Sequence, residues 1–160
     1  MTPLQTTGLY DPAFEHDSCG FGLIANIDGN ASGWLVDQAF AALAKMSHRG
    51  GVNSDGITGD GCGVLVYRAE TWLRTLAREA SIEIGSLYAA GLVFLDRDAA
   101  KADAAAQQLE RCLREEGVHA AGWRDVPVTD EPCGPLGRAS RPCIRQIFVN
   151  AAEGMDEAVF

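Results

Sequence analysis

The sequence contains no apolar run close to the roughly 18 residues of a membrane span, so no membrane-crossing helix is expected. It also lacks a basic start followed by an apolar stretch, which excludes a secretory signal. No Cys-x-x-Cys occurs. The five cysteines, Cys19, Cys62, Cys112, Cys133 and Cys143, are odd in number and widely spaced, so neither a zinc site nor a redox pair is indicated. Reduced thiols in the cytosol are then the default. Basic residues are sparse, with 13 Lys and Arg against 22 Asp and Glu for a net charge of −9. None of them cluster, and nucleic acid is set aside as a partner. The Gly- and Asp-rich stretch 52–63 has no Gly-Lys-Ser/Thr for a P-loop. It also lacks the twelve-residue acidic ladder of an EF-hand, so no metal or phosphate site is expected in this chain. There is no internal repeat, low-complexity tract or linker.

What remains is a chain of 160 residues with 47% apolar content, which fits one domain with a real core. Residues 21–27 form a short apolar, β-branched run and read as a buried strand, followed by a turn at Asp28-Gly29-Asn30. Ser32 is a candidate N-cap for a helix running to about Ser47. Leu35, Val36, Ala39, Phe40, Leu43 and Met46 lie on one of its faces, and Gly50 or Gly51 offers a C-cap. Residues 63–67 read as a second buried strand. Residues 70–81 read as a helix with Trp72, Leu73, Leu76 and Ala77 inward. Residues 88–95 are a third strand. Residues 98–116 are the clearest helix, Ala-rich, with Leu109, Cys112 and Leu113 on one face and Gly117 as its stop. Strands are expected at 118–126 and 144–149, with a loop at 127–142 between them and a helix starting at 155–160. Cys62, Cys112 and Cys143 read as core or incidental residues, and Cys133 as a loop residue. Alternation of strands and helices makes the fold class α/β.

The chemistry concentrates in Glu15-His16-Asp17-Ser18-Cys19-Gly20-Phe21-Gly22. Cys19 precedes a Gly-x-Gly step that opens the first strand, which puts its thiol at a strand edge rather than in a packed centre. The bland reading is a small buried hydrophobe. Against it, residues 1–18 lack hydrophobic periodicity and read as a removable leader. Its removal would leave Cys19 first, with an α-amine of pKa near 7.7–8.0 beside a thiol near 8.5. Such a pair shares a proton near neutral pH, the amine serving as base. His16 would be lost with the leader and suits self-cleavage rather than the mature site. Arg49 and His48 complement a helix C-terminus on the bland reading.

Three ordered motifs carry a resemblance: His16-Asp17-Ser18-Cys19-Gly20-Phe21-Gly22, Ser47-His48-Arg49-Gly50-Gly51 and Thr58-Gly59-Asp60-Gly61-Cys62-Gly63-Val64-Leu65. With Arg49 thirty positions after Cys19, they resemble the N-terminal region of the large chain of glutamate synthases, a class II glutamine amidotransferase domain of the N-terminal-nucleophile hydrolase type. Segments 88–95 and 142–149, with Gln146 in place, are also similar. The resemblance implies a four-layer αββα sandwich, incomplete at the C-terminus of this chain, with residues 1–18 as leader and 19–160 as the N-terminal part of the amidotransferase domain.

It further implies hydrolysis of L-glutamine through a Cys19 γ-glutamyl thioester, with Arg49 beside the nucleophile and favouring its thiolate. Asp60 is a weaker substrate-site candidate, or else a turn residue bonding its own backbone. Ammonia would go to amination of 2-oxoglutarate on an FMN and iron–sulfur platform elsewhere in the full-length family, and no cofactor is expected in this chain. The implied partners are the remainder of the synthase chain and a small electron-donor subunit or ferredoxin, in the cytoplasm. The family takes its oxyanion donors from an Asn-Gly pair and its substrate grip from an Arg-Phe-Ser motif and a later Asp. This sequence holds neither motif, so those segments are expected past Phe160. The chain alone is then expected to be inactive and poorly soluble, with apolar sheet faces uncovered. The alternative is a short non-catalytic binding or regulatory module on the same scaffold. Another class II amidotransferase, of amidophosphoribosyl or glucosamine synthesis, fits the Cys19 and Thr58 signatures less well.

Overall fold

The computed structural model describes residues 20–46, 50–59, 61–67, 69–156, 158 and 160. The chain divides into two compact units, Met1–Val66 and Tyr67–Phe160.

Among its described residues the first unit holds one helix, α1 (Gly33–Lys45). Its start follows the sequence: Ser32 is extended, and its Oγ accepts the Leu35 N–H at 3.3 Å. Leu35, Val36, Ala39, Leu43 and Met46 form its half-buried stripe, whereas Phe40, at the flank of that stripe, is exposed. The helix stops at Met46, whose N–H reaches Leu43 O at 3.0 Å. A tightened last turn thus ends it before the two glycines expected to cap it. The turn at 26–29 is held by Asn26, whose carbonyl accepts Gly29 N–H and whose Oδ1 accepts Asp28 N–H, with Gly29 at φ +70°.

Neither expected strand of this unit forms. Residues 21–27 and 63–67 have strand composition, yet the described residues include no ladder partner for either. Their apolar side chains face water, Phe21 at 95% and Leu65 at 102% exposure. A strand is a paired object, and composition alone does not supply the pair.

The second unit has the order α2 (Glu70–Glu79), β1 (Tyr88–Leu95), α3 (Ala99–Glu115), β2 (His119–Asp125), α4 (Pro135–Ser140) and β3 (Cys143–Asn150). The strands make one sheet in the order β1-β3-β2, with β3 antiparallel to both neighbours. β1 and β2 are therefore parallel, joined through α3, and separated by β3: a split β-α-β unit. The α/β expectation holds. β1 matches its expected span, while β2 and β3 each differ by a residue at either end. α4 lies in the stretch expected to be a loop. Gly134 caps it and Pro135 sits in its first turn, but six residues are too few to show a period. Among the described residues of 155–160 no helix is assigned; Phe160 N–H bonds Asp156 O, and Ala158 N–H bonds Asp156 Oδ1.

Side-chain alternation gives the sheet two faces. On one, Ala102 and Ala106 of α3 are buried along with Leu95, Ile147 and Val149. α3 is tied down there by Trp123 Nε1 donating to Glu110 at 2.7 Å, and by Arg145 donating to Asp103 at 2.8 Å. Cys112, expected on this face, is exposed. Asp98 caps α3 by accepting the Lys101 N–H, and Gly117, at φ +80°, ends it. On the other face, Leu73, Leu76, Ala77 and Ala80 of α2 and its C-cap pack with Phe148, Tyr88, Ala90 and Ala121, while Trp72 lies outside the stripe and is exposed. Arg74 locks this contact. It bonds Glu70 at 2.5 Å, reaches Gly85 O and Ser86 O, and lies 4.8 Å from the centre of the Tyr88 ring. Tyr88 donates to Glu70, and burial first, then that bond, pushes its hydroxyl above the usual tyrosine value.

α2 ends in a Schellman turn: Ile82 N–H reaches Ala77 O and Ser81 N–H reaches Arg78 O, with Ser81 at φ 57°. That turn drives Ile82 onto Gly122, where a Cβ would sit 2.9 Å from Ile82 Cγ1. Gly122→Ala is therefore expected to destabilise the second unit by about 1–3 kcal/mol through overpacking. Ser81→Gly is expected to stabilise it by about 1 kcal/mol by relieving the left-handed backbone. Thermal melts of the 160-residue chain check both, and unmoved midpoints would show that neither position constrains the fold.

Candidate active site

The three residues expected to carry chemistry, Cys19, Arg49 and Asp60, lie outside the described residues, as do His16 and His48. All three belong to the first unit, and the second unit contains none of them. What the structure describes is the backbone that connects them. α1 separates the Cys19 and Arg49 segments with 13 helical residues, about 20 Å of rise.

Between positions 49 and 60 runs a small hairpin, closed by an antiparallel bridge from Val52 to Gly59 and by Asn53 N–H donating to Thr58 O at 2.7 Å. Its tip turns at 53–56, with Gly56 N–H bonded to Asn53 O and Gly56 at φ +69°. Asp55 organises this tip. Its Oδ1 accepts Ile57 N–H at 3.0 Å and Thr58 N–H at 2.7 Å, and its Oδ2 accepts the Thr58 hydroxyl at 2.5 Å. The sequence offers Asp60 as a substrate-site candidate or else as a turn residue, and Asp55 was not singled out. The signal was present in Asp55-Gly56-Ile57-Thr58, an Asp before a Gly with a hydroxyl three residues on.

Cys62 and Cys112 are exposed, Cys133 and Cys143 are half-buried, and all four are free of disulfides. Among the described residues no three His, Cys, Asp or Glu side chains converge, so these residues do not fit an iron–sulfur cluster. An open cleft of about 470 Å³ lies between 85–87, His119 and 150–155. It carries Glu153 and no Lys or Arg, which does not fit the phosphate of FMN.

The family described as class II glutamine amidotransferases matches residues 19–160. The chain belongs to the class II glutamine amidotransferases. It is a family of enzymes, and the matched region starts at Cys19, the residue singled out by its motif. The relatives are glutamate synthases. The chain is 34% identical over 153 residues to the glutamate synthase [NADPH] large chain of Bacillus subtilis (strain 168), covering 96% of this chain and 10% of that one. It is 35% identical over 163 residues to the large chain of Azospirillum brasilense, covering 98% and 10%. It is 36% identical over 144 residues to ferredoxin-dependent glutamate synthase 2 of Synechocystis, covering 88% and 9%. The chain thus spans about a tenth of the length of these relatives.

Within the amidotransferase chain, the hairpin between the Arg49 and Asp60 positions rests on one carboxylate. Asp55→Ala removes three accepted bonds, each worth roughly 0.5–1.5 kcal/mol. Amide exchange at Ile57 and Thr58 is expected to accelerate by at least about tenfold. Mass-spectrometric exchange on the 160-residue chain measures this, and unchanged rates would show that the backbone bridge alone holds the turn.

Proposed function

We propose that residues 19–160 are the nucleophile-bearing part of the glutaminase domain of a glutamate synthase. The family match running from Cys19 to residue 160 carries this reading, and the synthase relatives support it. In it, residues 1–18 are removed and Cys19 becomes the N-terminal residue. Its α-amine takes the thiol proton, and the thiolate attacks the side-chain amide carbon of L-glutamine. The tetrahedral intermediate collapses with loss of ammonia, the amide nitrogen taking a proton as it leaves. Water then cleaves the γ-glutamyl thioester, giving glutamate and restoring the thiol. Arg49 holds the thiolate by its positive charge. Asp60, beside the Asp55-braced hairpin in sequence, is placed at the substrate side.

The oxyanion donors and the grip on the glutamine α-groups come from further sequence of the synthase, since the chain has no Asn-Gly or Arg-Phe-Ser. The four-layer αββα core belongs to the same reading. Residues 21–27 and 63–67, which have strand composition without partners among the described residues, are its natural contributors. Ammonia would pass to the amination of 2-oxoglutarate. That step needs the FMN and iron–sulfur cluster of the synthases, which the described residues of this chain do not fit. The remaining synthase polypeptide, with an electron-donor subunit or ferredoxin, completes the assembly. Cysteines without disulfides suit the cytoplasm.

The test is the native product from source cells. Its intact mass is expected to place Cys19 at the N-terminus. Cys19→Ala is expected to lower ammonia release from glutamine by at least about 10³-fold, as loss of a nucleophile does elsewhere. Full glutaminase activity in a product that still begins at Met1, or in the Cys19→Ala variant, would overturn the assignment.

A further inference from the structure

The two edges of the sheet in the second unit are built differently. At the β2 edge the ladder with β3 is broken by a bulge between Ala120 and Gly122, and the strand carries His119, Arg124 and Asp125. Bulges and charges are the usual means of closing an edge to further pairing. β1 has neither. Its eight residues, Tyr-Ala-Ala-Gly-Leu-Val-Phe-Leu, pair with β3 in unbroken register and contain no charge and no proline. Among the described residues β3 is its only partner, so every second backbone group of β1 points along the open edge.

The side chains agree with the backbone. Tyr88 and Ala90 are covered by the α2 core, but Leu92 and Phe94, next on the same face, are 56% and 66% exposed. A strand laid along β1 would bring its side chains to about 4.5–5.5 Å from these two and cover them. Topology points the same way. The order β1-β3-β2, with β1 and β2 parallel, is the first half of a β-α-β-β-α-β arrangement. In that arrangement the fourth strand lies on the free side of the first.

Resting on the reading of this chain as part of a synthase polypeptide, we propose that the free edge of β1 is filled by one strand of that same polypeptide. It runs antiparallel to β1, with apolar residues at alternate positions over Leu92 and Phe94. The relatives are about ten times the length of this chain, ample to supply one strand. Recognition is by main-chain hydrogen bonds, with the two exposed side chains setting register.

Amide exchange by mass spectrometry, on the 160-residue chain and on the native product, tests this. Segment 88–95 is expected to exchange at least about tenfold more slowly in the native product, the effect of one added bond per outward amide. Segment 144–149, already paired on both sides, is the control and is expected to change little. Leu92→Lys with Phe94→Lys in the native product is expected to return 88–95 to the rate of the 160-residue chain. Equal exchange of 88–95 in both proteins overturns the proposal, as does a gain shared equally by 144–149. Protection of 88–95 in the 160-residue chain that rises with concentration, together with a dimer mass, also overturns it and gives the edge to a second copy. Glutaminase activity is read separately by ammonia release. An active enzyme with an unprotected β1 rejects the strand alone, and an inactive one with a protected β1 rejects the activity alone.

Discussion

Phe148 is the largest side chain fully closed to solvent, at 0% exposure, and the second unit is arranged to close it. It sits on the central strand with Ala90 opposite on β1 and Gly122 opposite on β2. Small residues on both flanks leave room above the ring for Ala77 and Ile82. Ile82 reaches that place because α2 ends in a left-handed Ser81, and it fits because Gly122 has no Cβ. The helix end, the bulged strand and the central aromatic are therefore one constraint seen from three sides. The Arg74 bonds to Glu70, Gly85 O and Ser86 O hold the far end of the same contact.

The opposite face is held by different means. Arg145 on β3 pairs with Asp103 of α3 and with Asp125 of β2, and the Asp103 bond is the main reason its guanidinium is held above the usual value. Such partly exposed pairs contribute little singly. Their use here is positional, since they set the rotation of α3 over Leu95, Ile147 and Val149. Gln146, buried on β3, accepts a hydrogen bond from Arg124 at 2.7 Å through its Oε1, so the side-chain oxygen is partnered inside the sheet.

Where local chemistry decides an element, the sequence was readable. Ser32 and Asp98 cap α1 and α3 as their types predict, Gly117 stops α3, and β1 and β3 show as apolar runs with turns at their ends. Where distant pairing decides, it was not. Residues 21–27 and 63–67 have the composition of β1 and β3 but no described partner, and composition cannot report a missing ladder. Phe40, Trp72 and Cys112 failed for a related reason. Each lies at the flank of a helical stripe, and the stripe's width is set by what it packs against, not by its own period. The family was legible as three spaced motifs, because glycines and a cysteine at fixed offsets are a chemical signature. Asp55 was not legible as the organiser of the 52–59 hairpin, because two aspartates in one Gly-rich loop offer the same turn chemistry and only the hydrogen bonds identify Asp55.

The division of labour between the two units follows from the distribution of buried surface. Among the described residues the buried hydrophobic side chains all lie in the second unit, Ala77 to Val149, while the three family motifs all lie in the first. The first unit instead exposes Phe21, Leu23, Ile27, Trp34, Phe40 and Leu65, and its helix buries no residue. Catalysis needs reacting groups held close to their productive geometry. Under the proposed reading, that exposed apolar row is buried against further synthase polypeptide. The same step would bring oxyanion donors and a substrate grip to the proposed nucleophile. Under the proposed reading, glutamine hydrolysis is tied to assembly of the larger enzyme, where the ammonia released has somewhere to go.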